Sequence, residues 1–374
     1  MAGLENVIVV KIGSSTLVGE DGRLDASYLS SFANQIDQLR KAGWKPIVVS
    51  SGAIACGLPL LGMARRPSDL PTLQAAASVG QNLLVSAYAE AFAPHGIVTS
   101  IVLITRQTTR HRDSYLHARD TLQRLLELDV VPVINENDTV STEQIRFGDN
   151  DTLAALVACL VRARLCVIFS DIDGLHAKSP SEDPNAPLID RVERIDANVL
   201  AMAGGTGSVV GSGGMVTKLR AARVLMAAGA DMVVCSGTEP DALVRIVQGQ
   251  SVGTRFSAPC RFHDITSKKL WIALGDNPSG TLVVDAGAHD ALVSGGSSLL
   301  AVGVRSVEGS FQVGDVVDIK DANGFLFARG LVGAPSSEVS LACGRSSKEI
   351  EANELLRNLA QRPVVHRDEL VVFE

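Results

Sequence analysis

The stretch Val7-Ile8-Val9-Val10-Lys11-Ile12-Gly13-Ser14-Ser15-Thr16 decides the fold. Val7–Ile12 is β-rich and apolar at nearly every position, with no in-out alternation. Such a strand needs helices over both faces of its sheet, as in a parallel α/β layer. It runs out on Lys11 and then into Gly and Ser, small residues that let backbone N–H groups approach an anion, beside a point charge suited to phosphate. The loop is not of the Walker type, because no G-x-x-x-x-G-K-[ST] occurs in the chain. Taken alone K-x-G-S-S says little, since a lysine near a strand end is usually just solvated.

Working outward, the same texture repeats. Strand patterns fall at Ile47–Ser50, Val98–Ile104, Val130–Ile134, Leu165–Phe169 and Asp231–Cys235. Helical patterns fall between them: Leu29, Phe32, Ile36 and Leu39 share one face before a stop at Gly43, and others cover 73–92, 113–128, 152–162 and 215–228. A βαβ series of this kind predicts a three-layer, doubly wound, mostly parallel sheet. After about residue 250 the pattern changes to short strand-like pieces broken by Gly and Asn-Gly turns, which predicts a small β-barrel with one or two helices. The expected division is a first domain over 1–255, a connection over 256–279 and a second domain over 280–374.

Bulk properties narrow the function. The 374 residues are 46% hydrophobic, 20% charged and only 4% aromatic, which suits packed α/β layers better than a base-stacking surface. The formal net charge of −7 gives little of the counterion release that drives general nucleic-acid binding. Six cysteines lie scattered with no C-x-x-C pair, three of them in apolar runs, and read as buried free thiols. There is no signal-like N-terminus and no apolar run long enough to span a membrane, so the expectation is a soluble cytoplasmic protein.

Ligands of an open parallel sheet bind at the carboxyl ends of its strands, and each strand here is followed by a polar loop. Ser50-Ser51-Gly52 can present N–H and hydroxyl donors to an anion, or be an ordinary tight turn. Asn135-Glu136-Asn137-Asp138 and Gly148-Asp149-Asn150-Asp151 place seven Asn, Asp and Glu residues in two short loops. Capping the helix near Thr152 takes one of them. The excess suits an ammonium group, a magnesium shell or the positioning of lysines. Leu165–Phe169 runs into Ser170-Asp171. Finally Gly211-Ser212-Gly213-Gly214-Met215-Val216-Thr217-Lys218 opens a helix, a phosphate cradle followed by a lysine that opposes the helix dipole unless an anion sits beside it. The Gly- and Ser-rich stretch 203–214 is expected to be mobile without ligand.

Read in order, VVKIGSST, VVSSGAIACG, PVINENDTV, RFGDNDTLAAL, FSDIDGL and GSGGMVTKLRAA resemble the amino acid kinase family, and within it the glutamate 5-kinase branch. The match spans about 1–255. The tail around VVDAGA and GGSSLL is similar to the PUA domain fused to bacterial members. The resemblance implies the amino acid kinase fold, with ATP-dependent, Mg²⁺-assisted phosphorylation of the γ-carboxylate of L-glutamate as the first step of proline synthesis. It implies that Lys11 and Lys218 bind the ATP phosphates, that Asp151 holds the two lysines, and that Ser51, Asp138 and Asn150 bind glutamate. Ser170, Asp171 and the segment Ser212, Gly213, Gly214, Met215, Val216, Thr217 and Lys218 would line the nucleotide site; metal ligands are not assigned. It also implies proline as a feedback inhibitor, hand-off of the product to glutamyl-phosphate reductase, and a homo-oligomer, dimer or tetramer. His176, where the family usually has Tyr, and Ser179, where it has an acidic residue before Pro, are departures on the nucleotide side.

The chemistry agrees with that set of groups. A side-chain carboxylate with a pKa of about 4.3 is already ionised at neutral pH, so its phosphorylation needs no general base. The task is to bring two anions together in line, which is work for lysines and Mg²⁺. Orienting the lysines is therefore the preferred role for Asp151, with general base as the alternative. Acetylglutamate, aspartate, carbamate and uridylate kinases share the lysines and glycine loops, but NEND, GDND and the tail point away from them. A different class, an RNA-binding or RNA-modifying protein acting through the tail, is disfavoured by 8 Lys and Arg against 13 Asp and Glu in 280–374. A structural or assembly module is the preferred reading of that tail.

Overall fold

In a computed structural model β1 (Val7–Ile12) lies in the middle of a sheet of eight described strands, order β3-β4-β2-β1-β5-β7-β8-β6. The structure describes residues 6–19, 22–105, 108, 112–141, 150–180, 182–203, 214–259, 267–274, 278–353, 356, 359 and 362–373. The other strands are β2 (Lys45–Val49), β3 (Thr99–Ile104), β4 (Val131–Glu136), β5 (Leu165–Ser170), β6 (Arg191–Val192), β7 (Asp231–Ser236) and β8 (Thr254–Phe256). All pairings are parallel except β7 with β8. β1 pairs with β5 in the register Ile8↔Leu165 to Ile12↔Phe169. The chain leaves β1 toward β2 and leaves β5 toward β7, in opposite directions. Those two neighbours thus form the switch point at whose carboxyl end a ligand crevice belongs.

Every residue of β1 and β5 is buried, which is why neither strand alternates in sequence. The two faces are packed differently. Ile8, Val10 and Ile12 meet Leu29, Phe32 and Ile36 of α2 (Ala26–Lys41) and Leu84, Tyr88 and Phe92 of α4 (Leu70–Phe92) in one continuous core. Asp25 caps α2 by accepting from Ser27 N and Tyr28 N, and Asp69 caps α4 through Thr72 N. The opposite face, by the period of two, carries Val9 and Lys11. It is covered by α6 (Asn150–Leu160) and α8 (Met215–Ala228), which pack against one another. The other described α-helices of this unit are α1 (Ser14–Leu17), α3 (Ala53–Leu60), which follows β2, α5 (Arg112–Glu127), between β3 and β4, α7 (Ala197–Met202) and α9 (Ala242–Val247). The expected strands and helices are present, with ends displaced by up to three residues. α3 is additional, since the turn after β2 carried no helical pattern in sequence.

The chain divides into compact units at 264/265. The stretch 256–279, expected as a connection, carries a helix, Ser267–Leu274, which packs on β13 (Val365–Val372) inside the second unit. The second unit's sheet has the order β10-β9-β11-β12-β13, antiparallel except for the β9–β11 pair. Here β9 is Gly280–Val284, β10 Val304–Gly309, β11 Val316–Lys320 and β12 Leu326–Val332. Its core is Leu282, Val284, Val317, Ile319, Phe327 and their neighbours. Arg329, 4% exposed, is neutralised by Asp318 with Nε 2.5 Å from Oδ1. Helices at Ala286–Gly295, Ser336–Ala342 and Ser347–Glu351 exceed the one or two expected there. Of the cysteines, Cys56, Cys166 and Cys235 are buried and free, and Cys159 and Cys343 are free and half-buried; Cys260 lies outside the described residues.

Candidate active site

Lys11 is one residue from the end of β1, on the face covered by α6 and α8, and only 8% exposed. Both helices aim their first turns at it. Asp151 is the second residue of α6 and fully buried, and Lys218 is the fourth residue of α8, 2% exposed. Lys11 Nζ lies 2.8 Å from Asp151 Oδ1, and Lys218 Nζ lies 3.1 Å from Asp151 Oδ2. Thr217 Oγ1 donates to the Gly214 carbonyl at 2.8 Å and stands 3.2 Å from Asp151 Oδ2. Lys11 and Asp151 form a buried ion pair. Burial pushes the Asp151 carboxyl upward, but the ammonium groups of Lys11 and Lys218 outweigh it and hold the group below the ordinary carboxylate range. One carboxylate between two lysines leaves a net positive charge at the sheet's switch point, the electrostatics a phosphoryl group needs.

The neighbouring strand ends build a second patch from amides. Asn150 Nδ2 donates to the Ser50 carbonyl and to Ser51 Oγ, both at 2.7 Å, and lies 3.3 Å from Asn135 Oδ1. A backbone carbonyl only accepts, so the orientation of the Asn150 amide is fixed and its Oδ1 is turned away as an acceptor. The Asn135 amide is fixed likewise. Its Oδ1 accepts from Glu136 N at 2.9 Å, and its Nδ2 donates to Gln81 Oε1 at 2.8 Å. Beneath this patch the Ser50 hydroxyl, 0% exposed, is 3.0 Å from Tyr88 Oη. Gly52 has φ +99°, a left-handed turn that lets the chain pass from β2 into α3 with Ser51 facing Asn150.

A cleft of about 380 Å³ joins the two patches. Lys11, Lys218, Ser51, Asp138, Asn150, Ser170 and Asp171 all line it. Ser170 closes β5, 5% exposed, and donates to Asp171 Oδ1 at 2.9 Å. Met215, Val216, Thr217 and the fully buried Asp151 are not among the cleft-lining residues; Thr217 and Asp151 stand behind Lys11 and Lys218, which are. Gly214 is the N-cap residue of α8, while Ser212, Gly213, Gly148 and Asp149 lie outside the described residues, as does most of the stretch expected to be mobile. The side chain of Asn150 is spent on the Ser50 carbonyl and Ser51, and that of Asp151 on the two lysines. His176 is absent from the cleft walls: Nδ1 meets the Ala186 carbonyl at 2.7 Å and Nε2 meets Asp173 Oδ1 at 2.8 Å. Two acceptors on one ring raise its pKa and leave no nitrogen for base catalysis.

Sequence reasoning missed Gln81 and Tyr88, which look like ordinary members of α4's pattern, and Arg66, an exposed residue between α3 and α4 that lines the cleft. Only the charge pair Arg65-Arg66 before a proline could have drawn attention to it.

Residues 6–236 match the amino acid kinase family and residues 280–353 match the PUA domain. The chain belongs to the amino acid kinase family. Among curated members of the family, it is 44% identical over 366 residues to a glutamate 5-kinase of Nitrosospira multiformis, covering 98% of this chain and 97% of that protein. It is 45% identical over 367 residues to a glutamate 5-kinase of Ralstonia nicotianae, with the same coverage. Among solved structures, a UMP kinase from Ureaplasma parvum aligns with TM-score 0.47 and 16% identity, covering 67% of this chain and 98% of that one.

Proposed function

We propose that this chain is an ATP-dependent glutamate 5-kinase, transferring the γ-phosphoryl group of ATP to the γ-carboxylate of L-glutamate. The observation that carries the reading is the single buried carboxylate, Asp151, bridging Lys11 and Lys218 beside a pocket of oriented amides and acids. Identities of 44–45% across 98% of the chain support the substrate.

The roles follow from the chemistry. Bound ATP with Mg²⁺ supplies the phosphoryl group. Lys11 and Lys218 neutralise the anions that must approach one another and carry the charge that spreads over the transferring oxygens. Asp151 keeps both ammonium groups aimed and is not a base, because the acceptor carboxylate has no proton to lose. Ser170 and Asp171 stand on the nucleotide side. Asn150, through its fixed Oδ1, and Asp138 accept from the substrate ammonium, while Ser51 helps hold Asn150. The donor set fits ATP, with two lysines and the small residues Gly13, Ser14 and Ser15 around one crevice. Among the described residues no three acidic, His or Cys side chains converge as a metal shell. Mg²⁺ here would take its ligands from phosphate and water, with Asp171 the acidic side chain at hand.

The product is an acyl phosphate, reactive toward water, so prompt consumption by glutamyl-phosphate reductase fits the chemistry. Feedback inhibition by proline at the glutamate pocket and a homo-oligomeric state complete the proposal on the strength of the resemblance. Among the described residues no helix is long and apolar enough to cross a membrane, and a cytoplasmic site of action is proposed with the rest. The acidic balance of the C-terminal unit supports an assembly or structural role over RNA binding.

The test is ATP turnover with Mg²⁺ across glutamate, acetylglutamate, aspartate and UMP, trapping acyl phosphate as hydroxamate. Glutamate-dependent hydroxamate that disappears in Lys218→Ala supports the reading. Turnover only with another acceptor overturns the substrate.

A further inference from the structure

Free glutamate brings three charges into the cleft: the reacting γ-carboxylate, an α-ammonium and an α-carboxylate. Each must find a partner as water leaves, because an unpaired ion is costly to desolvate. The described walls provide for the first two. Lys11 and Lys218 sit at the reacting end, and Asn150 Oδ1 with the carboxylates of Glu136 and Asp138 suits the ammonium. Those same acceptors repel the α-carboxylate, and both lysines are drawn to Asp151.

Arg66 is the remaining cation among the described cleft-lining residues. Its side chain is exposed and forms no hydrogen bond or ion pair with a described residue. The turn that carries it is anchored on both sides. Met63 N donates to the Leu58 carbonyl at the end of α3, and Asp69 caps α4 three residues beyond Arg66. Arg66 also belongs to the substrate half, because it continues the segment that runs from Ser51 through α3, whereas the nucleotide half is built from β5 and α8. A guanidinium presents two parallel N–H donors that match a carboxylate, and it stays charged at any working pH.

On the reading of the cleft as a glutamate site, we infer that Arg66 binds the α-carboxylate of the substrate and sets selectivity for acceptors that carry one. The γ-carboxylate marks what reacts, and Arg66 marks which γ-carboxylate is admitted.

The experiment is steady-state hydroxamate formation by the full chain, its Arg66→Gln variant and its Arg66→Lys variant. Each is assayed with ATP and Mg²⁺ on glutamate and on glutamate α-amide, where a neutral carboxamide replaces the α-carboxylate. Arg66→Gln is expected to lower kcat/KM for glutamate about tenfold, the usual scale for a charged hydrogen bond at a partly wet site. It should leave kcat/KM for the α-amide and KM for ATP unchanged, so that selectivity between the two acceptors collapses. Arg66→Lys should fall between, because it keeps charge and loses the fork. Equal losses on both acceptors, or a change confined to KM for ATP, would overturn the assignment. So would unchanged glutamate kinetics, which would leave the backbone donors of the Gly52–Ile54 turn to hold the carboxylate. If the unaltered chain makes no glutamate-dependent hydroxamate, the reading beneath fails, and this assignment with it.

Discussion

Lys218 stands in the first turn of α8, where the helix dipole disfavours a cation, and Asp151 meets it at 3.1 Å from the first turn of α6, where the dipole favours an anion. The anion that excuses this lysine is therefore a side chain of the protein. The positive centre is held together by the protein's own side chains, which limits the reorganisation the reacting complex needs.

Replacing Asp151 by Asn removes the counter-ion shared by two nearly buried ammonium groups. Breaking a buried pair of this kind costs about 3–5 kcal/mol. Denaturant unfolding should show that loss, together with a drop in kcat of about 100-fold or more from misdirected lysines. An Asn variant as stable and as active as the parent would remove Asp151 from its proposed role.

α3 and α4 touch through glycine. A Cβ on Gly80 would fall 1.8 Å from the Ala53 carbonyl oxygen, and one on Gly57 would fall 1.9 Å from that of Ala76. Both obstacles are backbone, so Gly80→Ala must drive the helices apart at a cost of about 1–3 kcal/mol. Ala53 lines the cleft, so KM for glutamate should rise more than KM for ATP. Parallel changes in both constants would show that the helix contact does not reach the substrate half selectively.

Asn150→Asp exchanges two 2.7 Å donations for a carboxylate facing the Ser50 carbonyl and Ser51 Oγ. Leaving such groups unpaired or opposed costs about 1–3 kcal/mol, and kcat/KM for glutamate should fall by about 10- to 100-fold. Ser51→Ala removes one partner only and should fall less. Kinetics ranking the two variants the other way would mean that Ser51 touches substrate itself.

Asp151 and His176 contribute to the pH dependence of stability with opposite signs. The Asp151 pKa is lowered from the ordinary 3.8, so its stabilising share is present above that value and is lost as the pH falls through the folded pKa beneath it. The His176 pKa is raised from 6.5 by the Ala186 carbonyl and then by Asp173. Its share is complete below 6.5 and is lost as the pH rises through the folded value above it. Thermal unfolding of the parent and of His176→Phe should differ most at mildly acidic pH and converge as the solution becomes alkaline. A constant gap across that range would mean the ring packs there without titrating.

The layered sheet was legible because its strands are apolar on both faces and its helices carry a period of 3.6. Lys11, Asn150, Asp151 and Lys218 stood out because polar loops follow successive strands, where a parallel sheet keeps its ligands, and the roles read for them came from the family resemblance. α3 was not, since Gly57 and Pro59 weaken its propensity and its reason for existing is a close fit against Gly80. Gln81, Tyr88 and Arg66 were invisible for the same reason. Each matters through what another segment, distant in sequence, places beside it. His176 stood out as a departure on the nucleotide side, and its ring is held by the Ala186 carbonyl and Asp173.

The run from Gln81 through Asn135 to Asn150 has a direction. It is pinned at one place by the Glu136 N–H and at the other by the Ser50 carbonyl. No single amide in it can turn over without setting donor against donor or acceptor against acceptor. On the role proposed for Asn150, evolution toward a substrate whose amino group is replaced by an acceptor atom would find that residue unhelpful as a starting point. The change would have to begin on α4 or at the Ser50 turn, outside the contacts such a campaign would ordinarily randomise.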